Sequence, residues 1–277
     1  MDKVVFGLFP RKQTKNEECL LTLQVKSIPN FVKNTKPLLF ILKPKTQSYT
    51  GIIIALLILT AWASLLWFLL HWEVSFASPL TYVAVLVMTH LYTGLFITAH
   101  DAMHGVVAPG NKRLNTLIGT VTAGLFAFNY YGRLYPKHHL HHQHVATEED
   151  PDYHGGNFFL WFLSFARQYI TILQVLLMAG TYNLLQVWFP VENIILFWMA
   201  PAVLATFQLF YFGTYLPHRG EHEPNNKHKS STQGRNHLWA FISCYFFGYH
   251  YEHHDKPYLP WWKLYQEKDR LSGNSNQ

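Results

Sequence analysis

Residues 78–105 read SPLTYVAVLVMTHLYTGLFITAHDAMHG: about twenty apolar residues opened by a Ser-Pro pair and closed by His100 and His104. A run of that length fits a hydrocarbon core of ~30 Å, because roughly 20 helical residues are needed to cross it. The closing histidines stand four apart. On a helix, residues i and i+4 share a face, so both imidazoles can be aimed at one point just beyond the crossing. A membrane helix that delivers two metal-ligand side chains to its own end sets the terms for the rest of the chain.

Three more stretches are long and apolar enough to cross, at about 51–71, 158–180 and 191–216, and each must be helical to satisfy its backbone in lipid. Neither the 72–77 connection nor 181–190 carries Lys or Arg. The amino-terminal segment carries Lys3, Arg11, Lys12, Lys15, Lys26, Lys33, Lys36, Lys43 and Lys45. By the positive-inside rule the amino terminus is expected on the cytosolic side, with Arg167 the one basic residue inside a crossing, snorkelling to the headgroups or paired with a buried partner. Leu114 to Tyr131 is nearly long enough to span, yet it joins two histidine clusters that a crossing would separate, so it is expected to be re-entrant or interfacial. Leu238 to Tyr249 is expected to lie along the surface, and 225–236 to form a loop.

Composition agrees. Of 277 residues, 49% are hydrophobic and only 14% charged, with a net charge of +6. No nucleic-acid motif accompanies that charge, and the basic residues flank apolar runs, so a lipid bilayer is the expected partner and nucleic acid is not. No secretory signal peptide is read in residues 1–50. Cys19 and Cys244 form neither a disulfide framework nor a thiolate site. The expected domains are a cytosolic amino-terminal segment at 1–50, a membrane domain at 51–265 and a flexible tail at 266–277.

Seventeen histidines are present, and they cluster. After His100 and His104 come His138-His139-Leu140-His141-His142 and His250-Tyr251-Glu252-His253-His254, two HxxHH runs offering nitrogens at i, i+3 and i+4. Eight imidazoles exceed the needs of one tetrahedral zinc and imply two metals. Imidazole alone does not choose among zinc, copper, nickel and iron; open positions on a paired site favour oxygen chemistry by iron. No Glu-x-x-His repeat of the soluble di-iron type is present. Asp101, Asp150, Asp152 and Glu252 are placed to accept a ligand's second ring N–H or to cap helix ends. His139 and His144 lie beside ligands without a place in the HxxHH geometry, as donors around the metals or surface residues. His71 and His90 are assigned to interface or packing roles, His90 lying about 15 Å from His100 along the helix.

The order HxxxH, HxxHH, HxxHH between membrane helices resembles the membrane fatty acid desaturase and hydroxylase superfamily. The wording of His100 to Gly105, of Lys137 to Tyr153, of Tyr215-Leu216-Pro217-His218-Arg219 and of His250 to Trp262 resembles, within it, the beta-carotene ketolases of the bacterial type. The resemblance implies an all-α integral membrane fold: four transmembrane helices, a re-entrant or interfacial segment and a cytosolic histidine-rich di-metal cap. It implies two iron(II) ions on His100, His104, His138, His141, His142, His250, His253 and His254, with His218 as a further ligand and His222 beside it. It further implies O2 as co-substrate, electrons from an external ferredoxin-type donor, and a keto group placed at allylic C4 of the beta-ionone rings of a carotenoid, taking beta-carotene to echinenone and canthaxanthin. A carotenoid ring hydroxylase and an acyl-lipid desaturase share the scaffold. A zinc hydrolase built on HxxxH, with Asp101 where a Glu is usual, and a bis-histidine haem carrier are the readings from other classes.

Overall fold

The computed structural model describes residues 48–274, and among them there are helices and no strands. The expected amino-terminal segment therefore lies outside the described residues except for 48–50. Helix α1 is Thr50–Leu70 and α2 is Pro79–Met103. At 1.5 Å per residue the 21 residues of α1 extend about 31 Å. Ser78 caps α2 by accepting from the Leu80 N–H, and Pro79 stands in the first turn, where its missing donor costs nothing. The lipid-ward faces of both helices are large and exposed, as with Leu57, Trp67, Val83 and Leu86. From Tyr92 onward nearly every residue of α2 is buried, because α1 and the later helices Lys112–Leu125 and Val191–His218 close round its second half.

Helix α3, Lys112–Leu125, has 14 residues and is about 21 Å long, too short to cross. It ends where Ala127 and Phe128 take positive φ of 52° and 57°, and the chain doubles back into α4, Tyr131–Gln143. The return is tight: a Cβ on Gly119 would lie 2.2 Å from the Tyr131 ring, so glycine is what lets α3 and α4 meet. The 114–131 stretch is therefore a reversal and not a single crossing.

The expected third crossing is not one straight helix. Phe158–Tyr169 (α5) and Ile172–Leu185 (α6) meet at 83°. The cause is local: Thr171 accepts from the Gln174 N–H while the Gln174 side chain accepts from the Thr171 N–H, a capping box that starts a new helix within an apolar run. Arg167 is exposed in the last turn of α5, as a snorkelling side chain would be.

Helix α7, Val191–His218, spans 28 residues but carries π turns at Ile195–Met199 and Tyr211–Tyr215. Each contains the residue four before a proline, Phe197 before Pro201 and Gly213 before Pro217, whose carbonyl a proline ring would strike in a regular helix. Widening the turn relieves the clash. Asn193 donates to the carbonyls of Leu69 (2.6 Å) and Trp72 (2.7 Å), tying the start of α7 to the end of α1.

The remaining helices are short: α8, His237–Cys244; α9, His250–Asp255; and α10, Leu264–Asn274. Helix α8 has eight residues, far below a crossing, and stops at Tyr245 in the left-handed region. Helix α10 covers most of the expected tail, and its Leu264, Glu267 and Lys268 are buried.

We predict that Gly119→Val, by overpacking the α3–α4 contact, destabilises the fold by about 1–3 kcal/mol. A heat scan of the detergent-solubilised protein reads this, and an unchanged transition would contradict the contact.

Candidate metal centre

Each histidine cluster is carried to the same place by the end of a helix. His100 is on the last turn of α2 and His104 follows it; His138, His141 and His142 are on α4; His218 ends α7; His250, His253 and His254 are on α9. Nine imidazoles are thus gathered into two groups, within each of which the donor nitrogens lie within 4.8 Å of one another. One group is His100, His104, His138, His142 and His253. The other is His141, His218, His250 and His254.

The division within each HxxHH run follows from helix geometry. Residue i+4 lies about 40° from i, and i+3 lies about 60° to the other side. His138 and His142 therefore face the first group while His141 faces the second; His250 and His254 face the second while His253 faces the first. Each run supplies both groups instead of one common point, and the two runs do so in opposite senses. The groups adjoin, with the rings of His142 and His254 stacked at 4.2 Å.

Nitrogen spacings are those of ligands on one ion. His138 and His104 approach Nε2 to Nε2 at 2.7 Å, His142 and His253 at 3.1 Å, His141 and His254 at 3.1 Å, His254 and His250 at 3.0 Å, and His218 and His250 at 2.9 Å. Two nitrogens bound at about 2.1 Å and at right angles to one another are about 3.0 Å apart. The tautomers turn acceptor nitrogens toward the centre. The Nδ1–H of His141 donates to Asp150 at 2.9 Å, and that of His218 to the Lys229 carbonyl at 2.9 Å, which leaves both Nε2 atoms as bare lone pairs in the same group. His100 Nε2 is buried with no hydrogen-bond partner. The donor set fits two borderline divalent metals.

Burial, reinforced by neighbouring imidazoles, holds His138, His250, His253 and His254 well below the usual histidine range and His142 at about 2. Burial therefore favours the neutral form of these rings, the form that ligation requires. For His141 burial acts in the same direction, but the carboxylates of Asp150 and Asp152 outweigh it and raise the ring.

The surrounding carboxylates divide. Asp101 accepts from His100 Nδ1 (3.3 Å) and from the Trp261 backbone N–H (3.0 Å). Asp150 accepts from His141 and from the backbone N–H groups of Ala146 and Asp152. Asp152 lies 4.0 Å from His141 Nδ1 and accepts from the Tyr169 hydroxyl. Glu252 does not meet a ligand ring: it faces Thr232 and Lys268. His222 is likewise not gathered. The helix ends at His218, Arg219 is extended, and the i+4 relation that would bring His222 beside His218 is lost. His139 packs against Tyr135 and belongs to neither group. His144 pairs with Glu149, His90 stacks on Tyr245, and His71 packs on Trp67 and Phe189.

Beside the centre is a cavity of about 330 Å³. His100, His138, His141 and His250 form one wall; Phe96, Met103, Phe126, Phe165, Leu209 and Phe247 are among the apolar residues of the others. The α5–α6 break contributes Tyr169 and Ile170, and the far side, at Val175, Met178 and Val203, lies between α6 and α7. Val175 and Val203 are more than half exposed, so the cavity reaches the outer, apolar surface of the bundle. The sequence alone did not single out these wall residues, since they are scattered over several helices and connections with no common spacing.

A fatty acid desaturase family model matches residues 77–170 and 157–275. The chain is similar to a beta-carotene ketolase of Paracoccus sp. (strain PC1), 41% identical over 235 residues, covering 80% of this chain and 94% of that protein. It is similar to a beta-carotene ketolase of Haematococcus lacustris, 37% identical over 266 residues, covering 83% and 82%. It is also similar to a zeaxanthin 4-ketolase of Chlamydomonas reinhardtii, 39% identical over 239 residues, of whose length it spans 54%. No solved structure matches it.

The grouping predicts that His218→Ala lowers the metal content of the purified protein and that His222→Ala leaves it unchanged. Elemental analysis per chain decides this, and the reverse order would break the assignment of the second group.

Proposed function

From the premise that this chain belongs to the fatty acid desaturase family and, within it, to the beta-carotene ketolases, we propose that it is a di-iron oxygenase that places a keto group at allylic C4 of carotenoid beta-ionone rings, converting beta-carotene through echinenone to canthaxanthin. The observation that carries this reading is the apolar cavity joining the nine histidines to the outer surface between α6 and α7. A carotenoid is an apolar rod about as long as the bilayer core is thick, ~30 Å. Its ring enters sideways from lipid while the polyene stays in hydrocarbon.

Topology supports the placement. The ends of α1 and α6 and the starts of α2 and α7 meet where the 72–77 and 181–190 connections carry no Lys or Arg, with His71 against Phe189 and Asn193 bonded to Leu69 and Trp72. The histidine end carries the basic residues and is the cytosolic end. Counting α5 and α6 as one broken span gives four crossings, and the α3–α4 reversal is the re-entrant or interfacial segment. In this reading the chain divides into a cytosolic segment at 1–50 and a membrane domain from residue 51.

His100, His104, His138, His142 and His253 hold one iron(II), and His141, His218, His250 and His254 the other. Iron held there supplies activation of O2 and removal of an allylic hydrogen, with electrons from an external, ferredoxin-type donor. The protein's own part is to bind, orient and keep dry. Asp101, Asp150 and the Lys229 carbonyl fix the tautomers of His100, His141 and His218 through their Nδ1–H groups. Phe96, Phe126, Phe165 and Phe247 exclude water and hold the ring against the histidine wall. The allylic C4–H bond is weak because the radical left when that hydrogen is removed is delocalised into the polyene, and orientation selects the position. Two oxygenations at that carbon give a geminal diol, which loses water to the conjugated ketone.

Expression in cells that accumulate beta-carotene should yield echinenone and canthaxanthin, with a transient monohydroxyl intermediate and partial retention of oxygen from labelled O2. Pigments that are only hydroxylated, or newly desaturated, would overturn the ketolase reading and leave the metal centre standing.

A further inference from the structure

The third histidine run supplies three of the nine gathered imidazoles, yet α9, which carries it, has only six residues and no side-chain N-cap. A helix that short does not hold its own shape. Its geometry is imposed from outside, and the element that imposes it is α10.

Glu252 stands between His250 and His253 on α9 and is 1% exposed. Its carboxylate takes Lys268 Nζ of α10 at 3.2 Å on one oxygen and the Thr232 hydroxyl at 2.6 Å on the other. Lys268 is itself buried, donates to Thr232 at 3.0 Å, and lies 5.5 Å over the ring of Tyr249, the residue before His250. A second pair stands at the other end of α9, where half-buried Lys256 meets buried Glu267 at 2.6 Å. Leu264 packs with Tyr249 and Ala240 between the two.

We propose that Lys268 is a positioning residue for the metal centre: with Glu252 and Thr232 it forms a buried, charge-neutral latch by which the carboxy-terminal helix fixes α9 so that His253 faces one iron while His250 and His254 face the other. A buried carboxylate whose cation is removed must find water or turn away. Glu252 has no room to do so without rotating α9, and that rotation carries all three imidazoles off both ions. The paired ammonium cancels the carboxylate, so the latch adds rigidity without adding net charge beside the metals. The proposal rests on the iron reading of the histidine groups and not on which product is formed.

The test uses the full-length, iron-loaded protein and measures the rate at which a ferrous chelator removes iron, together with iron per chain and product formed per bound iron. Lys268→Met should speed removal and lower occupancy by about 10- to 100-fold, as loss of partners around metal ligands does, while product per bound iron stays constant. Lys268→Arg, which keeps the charge, and the double variant Lys268→Met with Glu252→Gln, which removes both charges, should return removal close to the wild-type rate. A general packing role for Lys268 would leave the double variant as impaired as the single one, and that result would overturn the proposal. Should K268M fail to accumulate in the membrane, Thr232→Val keeps both charges and should also release iron faster. Release at the wild-type rate in T232V would overturn it as well.

Discussion

Nine imidazoles share a space from which water is largely excluded, and the rest of the structure answers to the lone pairs that this leaves facing one another. A buried nitrogen needs a proton to give or to receive, and three or four converging Nε2 atoms cannot satisfy each other that way. Asp150 and the Lys229 carbonyl hold protons on the far sides of His141 and His218, which turns their Nε2 lone pairs inward. The arrangement is compatible with a pair of metal ions. Because lipid lies on one side, the helices that carry these rings must complete their own hydrogen bonding before the rings begin, which is why the ligands stand at the ends of α2 and α7 and on the short helices α4 and α9.

The same lipid setting explains the irregularities. A bundle of straight helices around α2 would pack its second half completely and leave no way to the histidines. The break between α5 and α6 and the second π turn of α7 are where regularity is lost beside the cavity, and they line it through Tyr169 and Ile170 on one side and Gly213 and Thr214 on the other. Gly213 also allows Phe247 its place, since a Cβ there would lie 2.6 Å from that ring. Departures from ideal helix sit at the functional surface, where the surrounding packing over-determines them.

Much of this was legible in the sequence where one physical period dominates. The apolar lengths disclosed α1, α2 and α7, and the histidine spacings disclosed eight of the nine gathered rings, with His218 reached through the wording around it. What escaped is of two kinds. Some signals were present but outvoted: the Thr171-to-Gln174 capping box lay inside an apolar run that read as one crossing, and Pro201 and Pro217 marked the π turns four residues ahead. Others had no local signal at all. The Lys229 carbonyl on His218, Lys268 on Glu252 and the Trp261 N–H on Asp101 are contacts between segments whose approach depends on the whole fold. His222 failed for the opposite reason, since its i+4 spacing was good but the helix that would give the spacing meaning had ended.

Splitting each HxxHH run between two histidine groups has a consequence for rigidity. A run that fed a single ion could pivot about its helix axis and keep its ligands in contact by adjusting three side chains together. Here a rotation of α4 that brings His138 and His142 further into one group takes His141 from the other, and α9 is bound by the same opposition with the roles exchanged. Neither helix can turn to favour one group without loss at its neighbour. The two groups are thereby fixed relative to each other by covalent backbone, and the spacing between them does not depend on a bridging side chain. Such an arrangement asks little of the side chains between the groups and much of whatever keeps α4 and α9 from turning, which places the burden on the contacts behind them: Asp150 against His141 at α4, and the ion pairs of α10 at α9.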